Sequence, residues 1–505
     1  MIKRIPLLLI SALLFYGSIC FSCHVVNPCD PIEEFDPAVT TTPPDRLDTS
    51  FGDQGAVLSS LPELTNPSYI NGITKQIINN TDRILVAGQV TLLFADQFVN
   101  QKFFSLARYN LNGELDQTFN TNELTGGPGA IYERRFFGKK AAANALVVYP
   151  SNNIVAVGFA GNDMAAVSYR ENGDPILENI YREGIINKTI VYPNAVSAVA
   201  TAIELAPPKV GTTGLNVVIG GYCTLSNNTK KSLLVRLSRA GVLEEPWTKN
   251  ATQSLNRAFG FNDRIVSHQI NGVEVYPAGT GNFGTVIAVG QCTLLNGLKK
   301  GFIAWFKNDS GTLDLRFGAT TGRHRAGYRI FDWGGTDESA NAVVISPFKP
   351  PLGNLRFYIK MVGTSTIGKR ITVGIQQVIN IDNGDPIGGP VRVELPSDSD
   401  IQSTGFSSMV VQDLGNVPNT GITYAAGTAI ANDKKEKFLL TRFNPDGTLD
   451  RSFGILGSII TTLSEGNLIG NGLMQQTNGK LVIAGYNQNF SLPDDPISFA
   501  MARIK

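Results

Sequence analysis

Histidines, cysteines and closely spaced carboxylates are the side chains of this sequence with chemistry to offer. The histidines are three, His24, His268 and His324, with no HExxH and no other paired spacing. A catalytic zinc takes three protein ligands, commonly with two on one element, so no metal site is expected. His324 lies among Arg323, Arg325 and Arg329. That is a solvated basic loop or a contact for an anion. Gly279–Gly284 reads GTGNFG and fits GxGxxG. A dinucleotide site needs that motif after a strand and opening a helix. Here a strand-like TVIAVG follows it, so it reads as a turn. Neither a GxSxG elbow nor a P-loop lysine is present. No catalytic residue and no cofactor are therefore expected.

The carboxylates cluster in turns. NPDGTLD and NDSGTLD carry Asp446, Asp450, Asp309 and Asp314. Such spacing can ligate calcium, yet the place of Asp446 is taken by Asn112 and Ala240 in other copies of the turn. Asp48, Asp116, Asp314 and Asp450 recur more steadily. A carboxylate that accepts hydrogen bonds from turn N–H groups needs no metal to recur, and these four are expected to cap turns. The cysteines are Cys20, Cys23, Cys29, Cys223 and Cys292. Cys223 and Cys292 hold equivalent places in successive repeats. Strand spacing puts them beyond the roughly 7 Å Cα reach of a disulfide, so they are expected as free thiols.

Composition narrows the class. Charged residues are 17% of 505, hydrophobic 42% and aromatic 9%, with 52 glycines and a net charge of +1. The chain can build a large core, and no global field calls for nucleic acid. The N-terminus has Lys3 and Arg4, then an uncharged apolar run Ile5–Ile19, then small residues and cysteines. This layout predicts a signal peptide over residues 1–22; the alternative is an uncleaved anchor, for which the run is shorter than the ~20 residues a span prefers. Residues 23–45, rich in Pro and Thr, read as an extended linker. Cys23 is a candidate for lipid attachment, or for a small disulfide with Cys29. The protein is expected to be exported: periplasmic, at the cell surface or secreted, with no membrane insertion beyond the leader or a lipid anchor.

The elements that position these groups form a repeat. A β-rich run with a glycine recurs seven times, at Gly88, Gly158, Gly221, Gly290, Gly363, Gly427 and Gly485, with spacings of 70, 63, 69, 73, 64 and 58 residues. Constant runs at variable spacing mean fixed strands with insertions between them. A second strand with period-two alternation follows each run, as in FFSLARYN and FLLTRFN. An Asn-Gly, Asp-Gly or Ser-Gly turn comes next. Another apolar stretch precedes each glycine run, as in ANALVV and ANAVVIS, and a further one follows the FG of the turn. No long 3.6-period stretch with caps stands out. Four short strands per unit and seven units predict an all-β fold: a seven-bladed β-propeller of four-stranded antiparallel blades over residues 46–505. A linear β-solenoid is the rival, with turns usually shorter than these units.

FNPDGTLDRSFG, YNLNGELDQTF, RLDTSFG and GTDESANAVV together resemble the delta-60 repeat, a propeller-forming unit of secreted bacterial proteins. The resemblance covers residues 45 to 505 and implies the fold without implying an activity. RENGDPILEN, VLEEPW and DNGDPIGGP depart from it, which predicts irregular blades there. RLDTSFG lacks the strand that should precede it, and the terminal SFAMARIK lacks the tail that should follow. The two are complementary pieces of one repeat, which predicts a ring closed by the N- and C-terminal segments, with Asp45 near Lys505. The function expected is a monomeric, non-catalytic binding or scaffold module for a surface protein or glycan. The alternative is a propeller lyase or hydrolase acting on extracellular polysaccharide. Convergent ionisable side chains in the channel would mark the enzyme.

Overall fold

The computed structural model describes residues 46–505 apart from 60–67, 95–98, 122–125, 187–191, 209–212, 263–264, 278–281, 319, 322–323, 349–355, 369–370, 397–398, 413–420, 462, 464–465 and 489–496. The leader, the linker, His24, Cys23 and Asp45 lie outside these residues.

The strands form antiparallel sheets in chain order. The first sheet is Ser68–Ile78, Thr81–Phe94, Val99–Tyr109 and Ala130–Tyr132. The second is Ala141–Val148, Ile154–Ala160 and Asp163–Tyr169, edged by Ile185–Ile186 and Pro175–Ile176. The third has three strands, Ala195–Ala206, Asn216–Leu225 and Lys230–Leu237. The fourth runs Ile265–Val275, Val286–Leu294, Lys299–Phe306 and Tyr328–Ile330. The fifth runs Asp337–Phe348, Arg356–Ile367, Ile371–Asn380 and Pro386–Arg392. A single parallel bridge, Lys299 to Asp337, joins the fourth and fifth. The sixth is Ile401–Val411, Thr423–Ala431, Glu436–Phe443 and Ser458–Thr461. In the seventh, Asn467–Gln475, Leu481–Gln488 and Ser498–Ile504 are completed by Ala56–Ser59 from the other end of the chain, with Ala56 opposite Ala502.

Each first strand lies against the first strand of the next sheet, and that of the seventh lies against that of the first. Middle strands are buried on both faces, so they read as continuous apolar runs: Ile84, Leu85, Val86 and Ala87 are all buried. Ala141–Val148 is a strand despite its alanines.

One element departs from the sequence expectation. Glu245–Asn262 is an 18-residue helix where irregular strand was expected. Trp247, Ala251, Leu255 and Phe259 recur every fourth residue and are all buried, a helical stripe facing the core. Phe259 packs edge-on against Phe302, Tyr328 and His268. The helix stands where the third sheet would have a fourth strand, and its threonines do that strand's work. Thr252 Oγ1 accepts from Leu234 N–H at 3.2 Å and donates to Leu234 O at 3.3 Å. Thr248 Oγ1 accepts from Arg236 N–H at 3.2 Å. Hydroxyls at i and i+4 on a helix thus serve strand positions i and i+2. Thr252→Val keeps the shape and strands both Leu234 groups in the core, so urea unfolding should show a loss of about 2 kcal/mol. An unchanged midpoint would mean that the hydroxyl is dispensable.

Candidate functional site

Every first strand carries a β-bulge at the same place. The register shifts between Ile70 and Gly72, Ala143 and Ala145, Ala200 and Ala202, Ile270 and Gly272, Ala340 and Ala342, Phe406 and Ser408, and Gly470 and Gly472. The extra residues are Asn71, Asn144, Thr201, Asn271, Asn341, Ser407 and Asn471, and all seven line one cavity of about 220 Å³. A bulge re-aims its side chain and bends its strand, here toward the neighbouring first strand. Asn71 Nδ2 donates to Ala143 O at 3.0 Å, Asn144 to Ala200 O at 2.8 Å, and Thr201 Oγ1 to Ile270 O at 2.6 Å. Asn271 donates to Ala340 O at 3.0 Å, Asn341 to Phe406 O at 2.8 Å, and Asn471 to Ile70 O at 2.8 Å. Each acceptor is the carbonyl just before the next strand's bulge. The belt is polar, but these donor groups are spent on backbone.

The recurrent glycine serves the same bulge. Gly88, Gly158, Gly221, Gly290, Gly363, Gly427 and Gly485 pair with the residue before the bulge, and a Cβ on any of them would overlap the carbonyl oxygen one residue earlier, Tyr69 O for Gly88 and Gln269 O for Gly290. Their role is close approach of two backbones.

A neighbouring cavity of about 520 Å³ is lined by Lys75, Glu204 and Gln475 among apolar residues. Lys75 Nζ is 3.2 Å from Thr477 Oγ1. Glu204 and Glu274 hold equivalent places on adjacent first strands, three residues past their bulges. Burial lifts Glu204 to about 7, against the pull of the Leu205 N–H. Burial lifts Glu274 well above its ordinary value, and the charge of Glu204 adds to that.

The turn aspartates lie elsewhere, under the strand-to-turn corners. Asp116 Oδ1 accepts from Thr118 N–H at 3.0 Å and its hydroxyl at 2.7 Å, and Oδ2 meets Arg108 at 2.8 Å. Asp450 does the same with Ser452 and Arg442. Asp314 Oδ1 accepts from Arg316 N–H at 3.2 Å and the Arg316 guanidinium. Asp48 Oδ1 accepts from Ser50 N–H at 3.2 Å and its hydroxyl at 2.8 Å, while its arginine, Arg503, comes from the far end of the chain at 2.8 Å. The arginines also lie over the aromatic of the same motif: Arg108 over Phe119, Arg442 over Phe453 and Arg503 over Phe51, at 4.6 to 4.8 Å. His268 is buried, its Nδ1 2.9 Å from Ser232 Oγ. Burial, with Lys231 nearby, pushes it down to about 3, so it stays neutral. His324 lies in the short strand His324–Arg325. Cys223 and Cys292 are buried and not joined in a disulfide.

Sequence reasoning missed the bulge belt. Its signal was Asn before Ala or Gly in INGIT, ANALV, INGVE, ANAVV and GNGLM, concealed by hairpins of different length between that Asn and the glycine.

Residues 81–119 and 422–453 match the family described as "Domain of unknown function (DUF5122) beta-propeller". The fold is a β-propeller. Among solved structures the propeller is similar to Drosophila Semaphorin 1a extracellular domains 1-2 (8% identity, 89% of this chain and 88% of that one, TM-score 0.43). It is also similar to Drosophila Plexin A in complex with Semaphorin 1b (9%, 89% and 86%, 0.37) and to a Synechocystis apocarotenoid oxygenase mutant (9%, 87% and 93%, 0.38). No curated protein matches the chain by sequence.

Proposed function

We propose that residues 46–505 form a closed ring of seven blades that serves as an exported, non-catalytic binding or scaffold module for a surface protein or glycan. Support for closure comes from the order of contacts among first strands and from Ala56–Ser59 pairing with Ser498–Ile504. In such a ring the bulge belt surrounds the axis. The observation that carries the binding reading is that belt: its side chains other than Ser407 donate to the next blade's carbonyls. They hold the ring together and leave recognition to the loops, whose lengths vary from unit to unit. Export rests on the leader, with Cys23 as the candidate acyl site.

A second reading has one observation in its favour. Glu204 and Glu274 hold equivalent places on adjacent first strands, burial raises both carboxyls, and a pair of carboxyls is the equipment of acid–base cleavage of polysaccharide. The experiment is a screen of the purified chain against glycan and surface-protein arrays, run beside a depolymerisation assay on acidic and neutral polysaccharides. Saturable binding that survives Glu204→Gln and Glu274→Gln supports the module. Chain cleavage lost in those variants replaces it with the enzyme. Neither binding nor cleavage overturns both.

A further inference from the structure

Between the outer edges of the first and second sheets lies a recess of about 360 Å³. Its walls are apolar, from Ile131, Tyr132, Pro175 and Leu177, and Leu177 is 54% exposed. Glu133 and Arg135 sit at its base and neutralise each other: the guanidinium forks onto the carboxylate at 2.7 and 2.5 Å, and Tyr169 donates its hydroxyl to the same carboxylate at 2.7 Å. Burial alone would raise Glu133, but these partners hold its carboxyl below the ordinary range. Arg134 and Arg182 also line the recess, both exposed, and neither guanidinium has a hydrogen bond or ion pair among the described residues. The recess therefore carries two positive charges, unpaired among the described residues, beside apolar walls.

It exists because the second repeat is irregular. In the first repeat Leu115 packs on Gly129 and Asp116 takes up Arg108. In the second, Pro175 and Ile176 stand in those places and Ser168 replaces the arginine, so the corner is not filled from within.

The geometry points to this recess as a binding site for a carboxylate carried on an apolar body, an aryl or alkyl carboxylate. Two guanidinium forks satisfy the two carboxylate oxygens, and the apolar walls take the rest. A phosphate would turn its remaining oxygens toward Leu177 and Pro175, and a sugar acid would leave hydroxyls unpaired there; both lose desolvation energy without return. Pockets of this size with few polar groups suit small molecules.

The test uses the full chain and 3-phenylpropionate as probe, followed by ligand-observed NMR and calorimetry, with 3-phenylpropanol and inorganic phosphate as comparators. Saturable binding of the carboxylate in the millimolar range or tighter, weakened by salt and reduced about tenfold or more by Arg134→Ala with Arg182→Ala, is the expected result. Both arginines are exposed, so the double variant should fold, and its circular dichroism checks that. Leu177→Asp should abolish binding with both arginines kept. The proposal is overturned if the carboxylate shows no saturable binding, if the double variant binds it unchanged, or if the alcohol or phosphate binds as well.

Discussion

Gly290→Ala is expected to destabilise the propeller by about 3 kcal/mol or more, among the largest effects of any single methyl group in the chain. The new Cβ would lie 1.9 Å from Gln269 O across the sheet, far inside contact distance. Overpacking in a core usually costs about 1–3 kcal/mol because side chains can give way. Here the obstacle is a backbone carbonyl locked by the bulge, so relief requires undoing the bulge and the belt of hydrogen bonds beside it. Gly260→Ala is the control of opposite sign. Gly260 sits in the helix with open space where its Cβ would be, and alanine there should add about 1 kcal/mol. Urea midpoints of both variants check the pair. A Gly290→Ala protein within about 1 kcal/mol of the parent would show that the bulge relaxes cheaply.

Arg503→Ala should cost about 3–5 kcal/mol, the range for leaving a buried charge without its partner. Asp48 and Arg503 are each 4% exposed. Arg503 also donates to Ser50 Oγ at 2.8 Å and to Leu111 O, and lies over Phe51. Lys480 remains beside Asp48 at 2.5 Å but is one-third exposed, which places the loss nearer the lower end. The matching change Arg442→Ala, at a more exposed pair, should cost less, about 1 kcal/mol. The sign with pH follows from Asp48. Burial would raise its carboxyl, but Lys480, Ser50 and Arg503 together hold it well below the ordinary carboxylate range. A depressed folded pKa gives stability that is present above about pH 4, the unfolded value, and is lost as pH falls through the folded one. Arg503→Ala should flatten that acid limb. Parent and variant with parallel acid limbs would sink the assignment.

The repeat was legible because glycine and the LDxSFG turn are local signals that insertions between them cannot blur. The arginine partners were legible too, had the copies been compared column by column. Arg108 goes with Asp116, Arg236 with Glu244, Arg442 with Asp450 and Arg503 with Asp48. Where the acid gives way to Ile176 or Ile387, the arginine gives way to Ser168 or Val378. The fifth sheet then takes its cation from the adjacent strand: Lys360, buried, donates to Gly421 O at 2.8 Å and Asn444 O at 3.1 Å, doing what Arg236 does toward Asn308 O. The helix was legible in Trp247, Ala251, Leu255 and Phe259, but a β repeat on both sides disguised it. Glu204 beside Glu274, and Arg134 beside Arg182, were not legible. Each pair meets only through packing of neighbouring sheets, and a linear sequence holds no trace of that distance.

The seventh sheet is assembled from both ends of the chain, and that has a consequence in time. During synthesis Asp48 is made 455 residues before Arg503. At roughly 5–20 residues per second the first turn waits on the order of half a minute for its arginine. Until then Ala56–Ser59 has no strand to pair with and the edge of Leu481–Gln488 is open. Ser498–Ile504 thus acts as the latch of the whole sheet, and a nascent chain cannot commit to this pairing before that strand has been made.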